Sequence, residues 1–407
     1  MKNKKTILSC CVFAAAFLLQ SCASKTQQVE KISGHWTGTW GTAVQLTEEH
    51  NMPPAPGLTQ NTIRQRFKTS IGGDSLKLRL SNEFGDQPLE ILSVTIAPAL
   101  EGSVVDSLHI AEIKFSGKEN ITIPVGENIF SDAVAFKTTA REDLAVTIAY
   151  GVVPEKLTGH PGSRTTSYIL SGNQIKNNTF SGAVTTDHWY SIERLDVFGN
   201  ENTAAIAVLG NSITDGRGST TNAQNRWPDI FAERLLQNPA TKDLAVLNMG
   251  IGGNCVLNGG LGPTASVRFE RDILNQTNVK YVIVYEGVND MGYSPDPEKT
   301  AKDLIEAYSK MIEKAHQKGL KIFGATIMPF KKSFYHDDKK EKCRLAVNEW
   351  IKTKADYDGV IDFSSAICNQ ETPDVLDDNY HDNDYLHPNA QGHKKMGEFV
   401  DLKLFEN

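Results

Sequence analysis

Residues 204–216 read AAIAVLGNSITDG, and this stretch decides the fold. An unbroken apolar run is typical of a strand that is buried on both faces of a parallel sheet. A glycine ends the run, and a second glycine closes the turn that follows. The stretch therefore predicts a strand of an α/β sheet at 205–209, followed by a tight turn that presents Ser212.

The rest of the region 201–407 repeats this alternation of strand and helix. Apolar runs predict further strands at 245–248, 281–285, 321–327 and 360–363. Helical patterns fall between them, from Pro228 to position 237, over 298–317 with a 3.6-residue period, and in a final helix opened by Pro388. We therefore expect a parallel sheet covered on both faces, with an active site at the carboxyl ends of its strands.

Residues 35–198 have a different pattern of polar and apolar residues, which predicts an all-β sandwich. Polar and apolar residues alternate at 76–80 and 121–125, and short β-prone runs recur at 92–97, 144–150 and 167–170. Turn-rich spacers separate the runs, and no long helical period intervenes. Because 407 residues are too many for one ordinary domain, we expect this sandwich to be an accessory domain ahead of the α/β domain at 201–407.

The first residues predict an export signal rather than a fold. Lysines at positions 2, 4 and 5 precede an apolar run at 7–19, which is too short for a stable membrane span. The sequence LQSC at 19–22 resembles a bacterial lipobox, which implies that Cys22 carries lipid and holds the mature protein on the cell envelope. We expect a lipoprotein signal peptide at 1–22 and a linker at 23–34, with an ordinary cleaved signal peptide as the alternative.

Charge and cysteine content exclude several functions. The formal net charge of -7 argues against nucleic acid as a partner, because phosphate binding needs a concentrated basic surface. Beyond the leader and Cys22, the remaining cysteines are Cys255, Cys343 and Cys368. They allow at most one disulfide, of unspecified pairing, and no CxxC pair suggests zinc.

Ser212 and a late aspartate-histidine segment provide the parts of a nucleophilic mechanism. A serine hydroxyl alone is a poor nucleophile and needs a base that a third group orients. The segment DYLHPN at 384–389 places Asp384 three residues before His387. His387 would take the proton of Ser212 and return it to the leaving alcohol, while Asp384 would fix the tautomer and stabilise the imidazolium.

Two further glycine-rich turns predict an oxyanion hole. The sequences NMGIGGN at 248–254 and EGVND at 286–290 each follow a predicted strand. A tetrahedral intermediate needs preorganised donors aimed at its oxyanion. We expect these donors to be the backbone amides of Ser212 and Gly253 and the side-chain amide of Asn289.

The four blocks GNSI, GIGGN, GVND and DYLH, in this order, resemble those of the SGNH hydrolases, also called the GDSL family. The resemblance covers roughly residues 204–405 and implies a flavodoxin-like three-layer α/β/α domain, ester hydrolysis and no cofactor. It maps the family's Ser, Gly, Asn and His onto Ser212, Gly253, Asn289 and His387, with Asp384 as the third member of the triad. One departure is Asn211, where the family usually has an acidic residue.

Two other patterns compete with this assignment. A literal GDSL at 73–76 opens an alternating strand without a following helix or a second block, so we interpret Ser75 as a turn residue. His381 and Asp382 lie beside Asp384 and His387, which raises the alternative of a metal site. The spacing is mixed and HExxH is missing, so we expect no metal and place His381 and Asp382 at the surface.

Four residues near the blocks are candidates for substrate binding: Arg217, Trp227, Asn254 and Glu286. Each lies within or just beyond a catalytic turn. Packing or support of the turn is the alternative interpretation for each of them.

The expected substrate follows from the predicted location and from the resemblance. SGNH domains with an amino-terminal β-sandwich resemble carbohydrate deacylases, so we expect removal of acetyl or another small acyl group from a sugar hydroxyl at the bacterial envelope. Hydrolysis of longer acyl esters is the first alternative. A non-catalytic lipoprotein that binds glycans is the second, although the complete set of catalytic residues speaks against it.

Overall fold

The computed structural model describes residues 34–406. Its first part is built mainly from β-strands, and in its second part strands alternate with helices, as the sequence predicts. The predicted signal peptide and Cys22 lie outside the described residues. Antiparallel strands form the first part, and a parallel sheet with helices forms the second. The fold is therefore a β-sandwich followed by a three-layer α/β/α domain.

The strand that comes first in the sequence of the α/β domain lies inside the parallel sheet, second from one edge. The spatial order of the sheet is Leu244–Gly250, Ala204–Gly210, Val279–Tyr285, Lys321–Ala325 and Gly359–Ile361. Every residue of Ala204–Gly210 is buried, as a strand covered on both faces requires. The strand order reverses at this strand, and the crevice at such a switch point is where α/β sheets bind ligands.

Helices connect and cover the strands. Pro297–Gln317 illustrates why they form: Asp296 accepts a hydrogen bond from the Lys299 amide, proline occupies the first turn, and the buried face repeats at helical spacing. The other helical segments are Ser212–Asp215, Trp227–Gln237, Ala265–Phe269, Glu270–Leu274, Val288–Tyr293, Asp338–Thr353, Phe363–Ala366, Ala390–Phe399 and Leu402–Phe405. Among residues 34–406, no helix is both long and apolar enough to cross a membrane.

The sandwich consists of antiparallel strands. One sheet has the order Gly34–Gly41, Ile192–Asn200, Gly73–Ser81 and Asn128–Phe130, with Val134–Thr138 also paired to Gly73–Ser81. A second has the order Val184–Thr186, Ser167–Ser171, Asn61–Lys68, Asp143–Tyr150, Leu89–Pro98 and Ala111–Ile113, with Ile121–Ile123 paired to Leu89–Pro98. A small sheet joins Trp189–Tyr190, Thr158–His160 and Gln45–Leu46, and a short helical turn spans Glu49–Asn51.

The sandwich packs directly on the α/β sheet. The Ser70 hydroxyl accepts a hydrogen bond from the backbone amide of Val246, in the edge strand, over 2.8 Å. At Gly38 a Cβ would lie 3.0 Å from a methyl group of Leu247, so glycine permits the close approach. One large hydrophobic core includes residues of both the sandwich and the α/β domain, and the predicted boundary near 198–201 stays a prediction.

Three local predictions differ from the structure. The strand predicted at 321–327 ends at Ala325. The backbone of Ile327 leaves the sheet because its amide donates to Oδ1 of Asn348 and its carbonyl oxygen accepts from Nδ2 of Asn348, both over 2.8 Å. The run 360–363 ends as a strand at Ile361, since Phe363 already begins a helix. Ser75 lies within the Gly73–Ser81 strand rather than in a turn.

Candidate active site

Ser212 emerges where the first parallel strand ends. The strand stops at Gly210, and the Asn211 side chain caps the next helix by accepting from the Ile213 amide over 3.1 Å. Ser212 is the first residue of that helix. Its hydroxyl is therefore held at the carboxyl edge of the sheet by a capped helix start.

Ser212, His387 and Asp384 form one hydrogen-bonded row. The Ser212 Oγ lies 2.8 Å from Nε2 of His387, and Nδ1 of the same ring lies 2.6 Å from Oδ2 of Asp384. The other carboxylate oxygen of Asp384 accepts from the backbone amides of Leu386 and His387, at 2.9 and 2.8 Å. A carboxylate that accepts from Nδ1 leaves Nε2 free to accept the serine proton, which is the geometry of general-base activation.

The hydrogen bonds to Asp384 keep it ionised. Partial burial acts to raise its pKa, but the donors from His387 and Leu386 outweigh burial and lower the pKa of Asp384 to about 2. The group is therefore a carboxylate throughout the neutral range, as a residue that stabilises an imidazolium must be.

The predicted oxyanion donors lie beside this row. Asn289 donates from Nδ2 to the carbonyl oxygen of Asn254 over 2.8 Å, and its Oδ1 accepts from the Tyr335 hydroxyl over 2.9 Å. These contacts fix which way the amide faces. Within residues 34–406, no acceptor is bonded to the backbone amides of Ser212 and Gly253. Both amides are thus available to a ligand.

Arg268 is hydrogen-bonded to the two turns that carry Ser212 and Gly253. This residue was not identified from the sequence. Its buried guanidinium donates to the carbonyl oxygens of Gly210 and Met249 and to Oδ1 of Asn254, over 2.9, 2.7 and 2.9 Å. The Glu286 carboxylate lies 3.8 Å away. No motif surrounds this arginine, so no signal in the sequence pointed to it.

Glu286 and Asp290 are buried carboxyl groups beneath the site. Burial, only partly offset by Arg268, raises the pKa of Glu286 to about 8. Burial also raises the pKa of Asp290 to about 6, although its carboxylate accepts from the amides of Val256 and Leu257 at 2.8 and 2.9 Å. Both groups hold turns in place rather than face the cleft.

The four candidate substrate residues separate into two groups. Arg217 lines the cleft beside Ser212. Trp227, Asn254 and Glu286 are buried below the cleft, so the structure does not bring them to its surface. Trp227 packs edge-on against Phe363, and Asn254 donates to two loop carbonyl oxygens, which are the supporting roles foreseen as the alternative.

His381 was expected at the surface, and this expectation is wrong. The ring is buried, not at the surface, and stacks on Tyr385 with centroids 4.0 Å apart, whereas Asp382 is exposed as expected. In the described part of the chain, no group of three or more His, Cys, Asp or Glu residues is arranged to hold a metal ion.

The cysteines Cys255, Cys343 and Cys368 are all free thiols.

An open cleft of about 430 Å³ contains Ser212, Gly253, Asn289 and His387. The two walls of this cleft differ in chemistry. Aromatic residues from the α/β domain form one wall: Tyr293, Phe334 and Tyr335. Mainly polar residues from the sandwich form the other: Gln45, Glu48, Asn51, Arg164 and His188. The sandwich thus contributes directly to the cleft around Ser212.

Solved structures with a similar fold come from several bacteria. One is a putative lipolytic protein of the G-D-S-L family from Desulfitobacterium hafniense, with 20% identity, a TM-score of 0.38, and coverage of 48% of this chain and 97% of that chain. A GDSL-like lipase from Bacteroides thetaiotaomicron has 17% identity, a TM-score of 0.36, and coverage of 49% and 87%. A family two carbohydrate esterase from Cellvibrio japonicus has 13% identity and a TM-score of 0.37, and covers 91% and 97%.

The sequence comparison is more specific. No curated protein sequence matches the chain significantly. Residues 208–395 match the GDSL-like Lipase/Acylhydrolase family, a range that includes both Ser212 and His387. Residues 208–395 therefore form a domain of the GDSL-like lipase/acylhydrolase family, and the protein is a carboxylic ester hydrolase.

Proposed function

We propose that the protein removes acetyl or other small acyl groups from carbohydrate hydroxyls, with Ser212 as nucleophile, His387 as general base and acid, and Asp384 as the group that orients His387. The observation that carries the proposal is the hydrogen-bonded row from Ser212 through His387 to Asp384, with contacts of 2.8 and 2.6 Å. The row opens into a cleft with one aromatic and one polar wall.

The first half-reaction transfers the acyl group to the enzyme. Ser212 Oγ attacks the ester carbonyl carbon while Nε2 of His387 takes its proton. The amides of Ser212 and Gly253 and the side chain of Asn289 donate to the developing oxyanion, and one such donor supplies about 3 kcal/mol. Collapse of the intermediate breaks the ester C–O bond, and the leaving sugar oxygen takes the proton from His387.

The second half-reaction releases the acid. Water attacks the acyl-enzyme carbonyl carbon, and His387 accepts the proton of the water through the same Nε2. The bond to Ser212 Oγ then breaks, and the proton returns to the serine. Because Asp384 stays ionised, it stabilises the imidazolium in both half-reactions.

The chemistry of the cleft supports a carbohydrate leaving group. A pyranose ring presents C–H groups on its faces and hydroxyls around its rim. Tyr293 and Phe334 are 64% and 73% exposed and line the cleft, so their rings offer apolar faces against which the C–H groups of a sugar can pack. The opposite wall offers Glu48, Asn51 and Arg164 to hydroxyl groups.

Longer acyl esters remain the second candidate because of one observation. Leu261 is 48% exposed and lines the cleft near Gly253, so an apolar chain would find some contact there. A series of p-nitrophenyl esters separates the candidates. Acetate preferred over octanoate supports the small acyl group, and the reverse preference supports a lipase.

The experiment that tests the proposal compares wild-type protein with Ser212→Ala. We expect hydrolysis of p-nitrophenyl acetate and acetate release from acetylated glycans to fall by about 10⁴-fold or more in the variant. Thr214→Ser, in the same short helix as Ser212 but outside the lining of the cleft, is the folding control. Equal rates for wild type and Ser212→Ala would refute the catalytic assignment.

We also propose that the protein is attached to the cell envelope through lipid on Cys22, on the strength of the lipobox-like sequence at 19–22. Metabolic labelling with a radioactive fatty acid should mark wild type but not Cys22→Ala. A labelled Cys22→Ala protein, or an unlabelled wild type, would contradict the anchor.

A further inference from the structure

A histidine of the sandwich reaches the turn that is predicted to hold the oxyanion. Nε2 of His160, at the end of the Thr158–His160 strand, lies 2.9 Å from Oδ1 of Asp215. The other oxygen of Asp215 accepts from the backbone amide of Gly252 over 3.0 Å. Two hydrogen bonds therefore connect the sandwich to the residue that precedes Gly253.

These groups are enclosed. The His160 side chain is 3% exposed and the Asp215 side chain 2% exposed. The backbone around them is closely packed, because a Cβ on Gly162 would overlap the Asp215 carboxylate. With so little space, a shift of the sandwich segment 160–162 would displace Asp215 and the turn bonded to it.

Both ring nitrogens of His160 are hydrogen-bonded. Nδ1 lies 2.8 Å from the carbonyl oxygen of Ala43, and Nε2 faces the Asp215 carboxylate. The Ala43 carbonyl oxygen can only accept, so Nδ1 carries a hydrogen. His393 differs, since its Nδ1 accepts from the Trp227 amide while its Nε2 donates to the carbonyl oxygen of Arg217. The His160–Asp215 contact is therefore a buried hydrogen bond between the sandwich and the turn that carries Asp215.

We propose that His160 and Asp215 are positioning residues for the oxyanion hole, so that the sandwich forms part of the catalytic unit. This inference depends on the proposed function, which gives the Gly253 amide its role. Asp215 fixes the Gly252 amide, and the adjacent peptide bond then sets the direction of the Gly253 amide. Gly253 has a φ of +69°, a left-handed conformation that glycine tolerates and that its neighbours must maintain.

The expected effect is a loss of turnover without a loss of binding. A donor that is preorganised for the transition state contributes little to the ground state, so misplacing it lowers kcat and leaves KM nearly unchanged. A displacement of about 1 Å costs up to roughly 100-fold in rate. A purely structural contact would instead lower the melting temperature and leave kcat of the folded protein intact.

The test uses the full chain with His160→Phe, which keeps a planar ring against Trp189 but removes both hydrogen-bonding nitrogens. On p-nitrophenyl acetate, well below its melting temperature, we expect kcat to fall by about 10- to 100-fold and KM to change by less than about threefold. His160→Gln, which retains a donor amide, should recover part of kcat. The matched control is Ser70→Ala, which also removes a buried bond between the sandwich and the sheet.

Hydrogen exchange gives a second readout that does not depend on activity. In His160→Phe, amide exchange of the peptide 249–256 should be faster than in wild type, and in Ser70→Ala it should be unchanged. If His160→Phe does not fold, Asp215→Ala removes both acceptor oxygens and should show the same kinetic and exchange pattern.

The outcomes are distinct. Wild-type kcat and exchange in the folded His160→Phe, together with an inactive Ser212→Ala, would overturn the positioning role and leave the proposed function intact. Equal turnover by wild type and Ser212→Ala would instead overturn the proposed function. Faster exchange at 249–256 with a selective loss of kcat supports the inference.

Discussion

Asn211 donates its side-chain amide to the carboxylate of Glu286 over 2.9 Å. This contact gives a physical reason for the departure from the family's usual acidic residue before the nucleophile. Glu286 is fully enclosed, and its Oε2 also accepts from the Gly287 amide over 3.1 Å. An aspartate at position 211 would face another carboxylate with the amide donor gone, whereas asparagine supplies the donor that Glu286 needs.

The first prediction concerns Asn211→Asp. Two carboxyl groups within hydrogen-bond distance cannot both ionise, so one must hold a proton. We expect the variant to lose about 2 kcal/mol of stability at pH 8 and clearly less at pH 5, where a shared proton is available. Urea denaturation at the two pH values measures this difference.

The matched control for that prediction is the double variant Asn211→Asp/Glu286→Gln. It exchanges the donor and the acceptor, because the amide introduced at position 286 can donate to the carboxylate introduced at position 211. Recovery of most of the stability lost at pH 8 is the expected result. A double variant as unstable as Asn211→Asp alone would mean that the pairing of the two side chains is not the cause.

The second prediction follows from the raised pKa of Glu286, about 8. An ordinary glutamate in the unfolded chain loses its proton near pH 4.5, so between pH 4.5 and 8 the folded state binds more protons than the unfolded state. Stability must then fall as pH rises through this window, by at most about 1.4 kcal/mol per pH unit. We expect Glu286→Gln to flatten this part of the stability profile, as measured by urea denaturation from pH 5 to 9. An unchanged slope would show that Glu286 does not titrate in this window.

Local sequence signals are sufficient for the parallel sheet and for placing Ser212 at the end of its first strand. The strand Ala204–Gly210 is continuously apolar, and the predicted nucleophile follows it, so one stretch predicts both the fold and the candidate nucleophile. Errors arose where an apolar run continued beyond its strand. Ile327 is buried but leaves the sheet, because Asn348 from a distant helix pairs with its backbone. An apolar run alone does not distinguish a strand from a buried loop.

The supporting residues could not be predicted, for a different reason. Arg268 and Gly210 are 58 positions apart, and His160 and Asp215 are 55 positions apart, so neither contact leaves a local pattern. Each depends on how separate elements pack in three dimensions. A motif in the sequence can therefore identify the candidate catalytic residues. The residues that position them, such as Arg268 and His160, are identified only from the structure.

The third prediction tests Arg268 as the link between the turns. Lysine keeps the charge but cannot donate in the fork geometry that reaches Gly210, Met249 and Asn254 together. We expect Arg268→Lys to lower the free energy of unfolding by about 3 kcal/mol and to reduce kcat, because unpaired carbonyl groups remain below the site. Arg234→Lys is the control, since Arg234 also donates to two carbonyl oxygens, of Gly397 and Val400, away from the cleft. Equal effects of the two substitutions would argue against a special role.

The fourth prediction concerns the aromatic wall. Phe334 is 73% exposed, so Phe334→Ala should leave stability within about 0.5 kcal/mol of wild type. If the ring stacks on sugar, KM for acetylated oligosaccharides should rise by about fivefold, corresponding to about 1 kcal/mol of lost stacking. Phe399→Ala removes another exposed phenylalanine, outside the cleft, and should not change KM. An unchanged KM in Phe334→Ala would remove this wall from the carbohydrate site.

The last prediction concerns the direction of the Asn289 amide. The Tyr335 hydroxyl donates to Oδ1 of Asn289, which turns Nδ2 toward the carbonyl oxygen of Asn254 and the cleft. In Tyr335→Phe the amide can rotate and present an oxygen to the developing oxyanion. We therefore expect kcat to fall by about tenfold with KM little changed, somewhat less than the loss of a whole oxyanion donor. Tyr357→Phe removes a buried hydroxyl that has no partner among residues 34–406, and it should leave kcat unchanged. If Tyr335→Phe retained full turnover, the orientation of Asn289 would have to be fixed by its bond to Asn254 alone.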